Sequence, residues 1–298
     1  MSGEPPFLSR PVHPALRPYV GWLVSYDLDM GQPGTHRGLP STALTLVLPV
    51  GGQLEVGWAG VPASRGRWQA GAGGLHSTPA EIHHDGWQAG VQLSLTTAGA
   101  RALLGESAAD LAHELVDLAD LRGSSSVPGP CHLPERLHDA ATWAQRLLIV
   151  ESALIAALAR HGAAGPRSEV GRALASLTRG ASVRSVADDV GWSRRHLGTQ
   201  VRAEAGLTPK EFQRVARFER SHRRLLHTAR AGAVHLGALA ADTGYADQAH
   251  LTREWGLLAG CTPRAWLRAE FVYLQDRPAL QDDPGEDGHH RSTDTGRP

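Results

Sequence analysis

The chain has 298 residues, 30 Lys and Arg against 30 Asp and Glu, and two cysteines. That length suits two domains, and the distant pair Cys131 and Cys261 excludes both a disulfide framework and a CxxC-type zinc site. The zero net charge hides an uneven layout: residues 1–165 carry 10 Arg against 14 acids, 166–277 carry 18 basic residues against 11 acids, and 278–298 carry 2 against 5, so the basic surplus is confined to one segment, as a phosphate-binding surface requires.

Met1–Arg10 lacks an apolar signal core, and no run approaches the length needed to cross a membrane. A soluble, cytoplasmic protein with no membrane partner is the expectation. Tyr19–Tyr26, Ala43–Val50, Gln53–Trp58 and Gly90–Leu95 are rich in Val, Leu and aromatics and read as strands. Gly31–Gly34 and Gly71–Gly74 read as the turns between them. Several strands at short spacing predict a small β-barrel or sandwich. Helical patterns follow over Ala98–Leu104, Ala108–Leu115 and a long segment, Pro134–Arg160, with Leu137, Ala141, Ala144, Leu148, Leu154 and Leu158 at helical spacing. These predict an interdomain or dimerisation bundle. Gly123–Pro130 reads as a loop, Gly162–Pro166 as the linker, and 278–298 as a disordered tail. The division is therefore 1–165, 166–277 and 278–298.

In the first domain, Trp22, Tyr26, Trp58, Trp68 and Trp87 are candidate pocket walls or plain core aromatics. His76, His83, His84 and Asp85 have metal-ligand residue types, but adjacent His83 and His84 point to opposite faces of a strand. No metal and no cofactor is expected. Cys131 stands alone, with only His132 beside it to favour a thiolate.

The basic segment is organised around Ser193–Arg202. Upstream, Val183–Val190 reads as a short helix with Ala187 on its inner face. Gly191 allows a sharp turn, Ser193 is a suitable N-cap, and Leu197 and Val201 share one face. The pattern occurs twice. Ala240, Asp242, Gly244 and Tyr245 repeat Ala187, Asp189, Gly191 and Trp192. Asp247 follows as cap, with Leu251 and Trp255 in the apolar places. Gly206–Leu207–Thr208–Pro209 and Gly260–Cys261–Thr262–Pro263 close the two copies alike. The offset is 53 residues before the turn and 54 after it, so the second copy carries one extra turn residue. Helix, glycine turn and second helix is the helix-turn-helix pattern, whose second helix fits the major groove.

On Ala187, Gly191, Ser193, Leu197, Gly206, Pro209, Ala240, Gly244, Gly260, Thr262 and Pro263, residues about 167–272 resemble the DNA-binding domain of AraC/XylS-type bacterial transcription regulators. The family usually has Phe in the places of Val201 and, often, Leu251. The resemblance implies two helix-turn-helix units joined by a long helix, double-stranded DNA as partner, a homodimer, and RNA polymerase as a further partner. By analogy it implies a cupin-like β-domain ahead of them that takes a small-molecule effector, whose binding residues the sequence leaves unknown. The fold class is then α+β: an N-terminal barrel or sandwich with a helical bundle, followed by an all-α double helix-turn-helix domain.

Counting from the caps, Arg194, Arg195, Thr199 and Arg202 face outward in copy one, and Gln248, Ala249, Thr252 and Arg253 in copy two. Arg pairs with guanine, Gln with adenine, and Thr or Ala meets a thymine methyl. Arg195, Thr199, Gln248, Thr252 and Arg253 are the expected base readers. Gly198 stands where a longer reader would be expected. Between the copies, Pro209–Leu226 is predicted as the linking helix, about 26 Å long, with Phe212, Val215, Ala216, Leu225 and Leu226 buried. Its Arg214, Arg217, Arg220, Arg223 and Arg224 form a basic face, balanced by Glu211 and Glu219. The competing readings are this DNA-binding module fused to a metal-dependent cupin-type enzyme, and a DNA-packaging protein without sequence preference. No catalytic residue set is visible for the former, and the Gln248, Thr252 and Arg253 face argues against the latter.

Overall fold

The computed structural model describes residues 5–121, 133–161 and 167–274. The readings made for Gly123–Pro130, Cys131, His132, Gly162–Pro166 and 278–298 fall outside these residues.

Among the described residues, ten strands build two antiparallel sheets. They are β1 (Phe7–Ser9), β2 (Val20–Asp29), β3 (Gly34–Gly38), β4 (Leu44–Pro49), β5 (Leu54–Trp58), β6 (Gly66–Trp68), β7 (Gly71–Gly73), β8 (Ala80–His84), β9 (Trp87–Leu95) and β10 (Leu115–Asp117). The large sheet runs β1-β2-β9-β4-β7-β10 and the small one β3-β8-β5-β6. The arrangement is a sandwich, not a closed barrel. All four strands read from the sequence are present. Gly71–Gly73, read there as a turn, is a strand paired with both Thr45–Val47 and Leu115–Asp117. Its small residues carry no apolar pattern, and its neighbours alone specify it.

Alternation divides the large sheet into two faces. Leu44, Leu46, Leu48, Val91, Leu93 and Leu95 are essentially inaccessible and join a core shared with the helices. Val47, on the other face, packs against Leu54, Val56 and Ala80 of the small sheet.

The helices are α1 (Thr97–Gly99, continuing as a π-type turn over Ala100–Leu104), α2 (Leu133–Asp139), α3 (Trp143–His161), α4 (Ser168–Thr178), α5 (Val183–Asp189), α6 (Arg194–Ala205), α7 (Pro209–Arg230), α8 (Leu236–Asp242), α9 (Gln248–Leu258) and α10 (Pro263–Leu274). Two expectations need correction. Ala108–Leu115 is a run of turns that leads into β10, because His113 takes a positive φ of 65°, which a helix cannot continue through. Pro134–Arg160 is two helices, broken where Gln145 accepts from the backbone amides of Ala141 and Thr142. The break also shifts the buried stripe. Trp143, Leu147, Val150, Leu154 and Ala157 are buried, whereas Leu148 is 48% exposed.

The C-terminal helices follow the repeat. Leu197 and Val201 on α6, and Leu251 and Trp255 on α9, are all fully buried. The linking helix α7 runs four residues further than expected, to Arg230, about 33 Å at the usual rise. It serves two cores. Phe212 and Val215 belong to the first unit's core, which is continuous with that of the sandwich, while Phe218 and Leu225 belong to a separate core under the second unit.

Candidate nucleic-acid interface

Both turns are built alike. Gly191 and Gly244 take φ of 71° and 81°, the left-handed region that glycine enters without steric cost. The amide of Trp192 donates to the Ala187 carbonyl at 2.8 Å, and that of Tyr245 to Ala240 at 2.9 Å. These paired bonds close the preceding helix in the Schellman manner. Ala187 and Ala240 are buried to 1% and 0% exposure, and their small size lets the second helix of each unit lie close.

The caps are as read. Ser193 Oγ accepts from the His196 amide at 3.1 Å, and Asp247 Oδ1 from the His250 amide at 2.6 Å. Each cap is followed by an aromatic–histidine contact that the sequence reading missed. Trp192 meets His196 edge to face at 4.9 Å between centroids, and Tyr245 meets His250 at 5.2 Å. The signal was available as Trp192-x-x-x-His196 and Tyr245-x-x-x-x-His250, one residue longer where the turn is longer. These contacts brace the first turn of each helix, the part that approaches base edges.

Arg194, Arg195, Thr199 and Arg202 are exposed on α6. Gln248, Ala249 and Arg253 are exposed on α9, and Thr252 is half-buried. None of Arg194, Arg195, Arg202 and Arg253 forms an ion pair among the described residues. The Thr199 hydroxyl donates back to the Arg195 carbonyl at 3.2 Å. Gly198 is half-buried with open space above its α-carbon.

The arginines of α7 differ from the expected basic face. Arg214 and Arg217 both bind Glu254 of α9, at 2.7 and 3.0 Å. Arg217 also lies over the Tyr245 ring at 4.8 Å. Arg224 pairs with Asp242 at 3.1 Å, and Arg220 donates to the Thr178 carbonyl. These side chains fasten helices together. Nor do Glu211 and Glu219 balance them. Glu211 forms a capping box with Thr208, whose hydrogen bonds hold its carboxyl below the usual range, and Glu219 reaches into the first domain. Sequence alone could not supply these partners, because Glu254 and Asp242 lie on other helices.

In the first domain the proposed metal-type residues do not converge. His76 meets Trp58 with tilted rings 4.8 Å apart, His83 bonds Thr35 on the outer face of the small sheet, and His84 approaches His36 on the inner face. Of the aromatics, register puts Trp22 and Tyr26 on the Val47 face of the large sheet, and Trp58 and Trp68 on the Leu54–Val56 face opposite. Trp87 lies outside, 44% exposed, and donates to Asp27.

A protein-family model described as a helix-turn-helix domain matches residues 170–269. Residues 170–269 are an AraC-type helix-turn-helix domain. Most of the chain also superposes on solved structures of ToxT from Vibrio cholerae. An apo variant from strain SCE256 aligns over 83% of this chain and 97% of that one, at 9% identity and a TM-score of 0.51. A structure from strain O395 aligns over 89% and 98%, at 10% identity and a TM-score of 0.50. At such identity the likeness is one of fold, and it spans the sandwich as well as the AraC-type domain. ToxT has also been solved with an unsaturated fatty acid bound, in a structure that superposes with a TM-score of 0.47. No curated protein matches the chain. The AraC-type domain makes this a DNA-binding transcription regulator.

Proposed function

We propose that this regulator reads a specific duplex site through the first turns of α6 and α9. Arg194, Arg195, Thr199 and Arg202 address one major-groove segment, and Gln248, Ala249, Thr252 and Arg253 the next. The observation that supports this most directly is the repeated geometry: two capped, braced helices at either end of α7, each with an exposed polar face and a buried Leu. Residues 1–165 serve as the effector-binding and/or dimerisation domain and 166–277 as the DNA-binding domain. The facing sheet surfaces, with Trp22, Tyr26, Trp58 and Trp68, are the region for a small apolar or aromatic effector.

For the homodimer, α3 offers the face. Leu148 and Ile155, seven residues apart, are 48% and 36% exposed. Beside Leu148 a groove holds Arg136 and Asp139, which a twofold axis would pair reciprocally. RNA polymerase is the partner such a regulator addresses once seated. The cytoplasm is the compartment in which DNA is met, and among the described residues no helix is long and apolar enough to cross a membrane.

The test is selection of duplexes from a randomised library by the full chain, followed by anisotropy titration of the selected duplex and a scrambled one at several salt concentrations. Preference of about a thousandfold with a steep salt slope supports the reading. Equal affinity for both duplexes would leave only non-specific binding. A thermal-shift panel on the same protein, with an unsaturated fatty acid included because ToxT takes one, tests for the effector.

A further inference from the structure

The two helix-turn-helix units have separate cores that meet on α7, and among the described residues the first domain makes polar or close contacts with that assembly at the first unit, at the middle of α7 and at the second unit. At the first unit, Arg101 pairs with Glu204 of α6 at 3.6 Å, and the turn carrying Ala109 and Ala112 packs so closely on Gly206 that no Cβ fits there. At the middle of α7, the Thr42 amide and hydroxyl both donate to Glu219 Oε2, at 3.1 and 2.8 Å. At the second unit, the Arg37 amide donates to Glu270 Oε1 at 3.1 Å, with its guanidinium 3.8 Å away. Leu39 packs against the second unit's core, and Pro79, ahead of β8, lies beside Gly260.

The order of these contacts is informative. Arg37, near the end of β3, and Leu39 and Thr42, on the crossing from β3 in the small sheet to β4 in the large one, lie within six residues. Both ends of that crossing are fixed by strand pairing. Glu219 sits where α7 passes from one core to the other, directly after Phe218 and four residues beyond Val215. A bend there would change the angle between α6 and α9, opposed within α7 itself by the bonds of Arg214 and Arg217 to Glu254. Glu270 is 5% exposed, and burial raises its pKa, so its hydrogen bond to Arg37 is not readily exchanged for water.

We propose that the β3–β4 crossing is a splint between the two units. Arg37, Leu39 and Thr42 are positioning residues that fix the separation and angle of the two recognition helices, and through them the spacing between the two halves of the DNA site. The inference rests on the DNA-reading function above. The first unit is joined to the sandwich through a shared core, and the splint holds the second unit to that same body. A B-DNA site with one added base pair turns one half by about 34° relative to the other, which a splinted protein cannot follow.

The experiment uses the full chain and the library-selected duplex, together with duplexes carrying one base pair added or removed between the two contacted segments. The splint variant is Arg37→Ala with Thr42→Val, which leaves the DNA-binding residues untouched. Because the backbone amides remain as donors, Glu219→Ala with Glu270→Ala is the second variant, and Glu219→Gln the conservative control. For the wild type, each one-base-pair change is expected to cost tenfold or more in affinity. In both double variants that penalty should shrink to threefold or less, and Glu219→Gln should keep most of it. A spacing penalty unchanged in every variant that gives a cooperative melt would overturn the splint. A wild type that prefers no duplex would instead overturn the DNA-reading function, a distinct result.

Discussion

Single side chains carry separate, testable contributions in the two halves of the chain. Arg253 has no ion-pair partner among the described residues and projects from the exposed part of α9. Arg253→Ala should weaken binding to the selected duplex by about 1–3 kcal/mol and relax preference at one base pair, whereas a loss equal on all sequences would make it a phosphate contact. In the sandwich, burial, helped by neighbouring His84, lowers His36 to about 4. Burial also lowers His76 to about 4, against the hydrogen bond to the Thr78 carbonyl. Both rings are neutral when folded, while the unfolded chain takes up their protons below about pH 6.5. Their contribution is whole above pH 6.5 and lost as pH falls from 6.5 toward 4. Thermal melts over that range should show the loss, and His36→Phe should remove part of the slope and leave that of His76. An identical pH profile in the variant would mean that His36 is hydrated in the folded state.

Elements differ in how far their own residues specify them. The repeat was legible because its signals are local: a glycine that needs positive φ, a cap, and an apolar pair four residues apart. The caps at Ser193 and Asp247 were therefore placed correctly. Strands such as Gly71–Gly73 were not legible, since Thr45–Val47 and Leu115–Asp117, far away in sequence, hold them. The register of α3 failed for a related reason. The Gln145 break resets the helical phase, and the sequence gives Leu148 and Leu154 equal claim to the core. The α7 arginines needed partners on α8 and α9 to be understood. Two predictions belong at this scale. Thr208→Ala should destabilise the first turn of α7 by about 1 kcal/mol through loss of the capping box, measured by urea denaturation. Glu254→Ala should leave Arg214 and Arg217 half-buried without their shared anion, and loosen α9 from α7. Operator affinity should then fall although Glu254 faces α7. Unchanged affinity and stability would show that Trp255, whose indole donates to Ser221 at 3.0 Å, holds α9 unaided.

At the scale of the molecule, the apolar ridge on α3 and the groove beside it are where a second copy is expected. Leu148→Glu with Ile155→Lys should shift sedimentation from dimer to monomer and leave the melting of the sandwich unchanged. A dimer that survives both changes would place the contact elsewhere.

The two hydrophobic cores have a further consequence. The grouping of buried side chains crosses the division suggested by composition, near residue 165. One core runs from Leu44 and Leu93 through Val150 to Leu197 and Val215, and the other begins at Phe218. This grouping predicts an energetic seam inside a single continuous helix, crossed by the bonds of Arg214 and Arg217 to Glu254. Heating should melt the chain in two calorimetric steps, with the segment from about Phe218 onward as the smaller, and amide exchange along α7 should change rate between Val215 and Phe218. A helix that looks uniform along its backbone would then be partly folded and partly frayed at the same temperature.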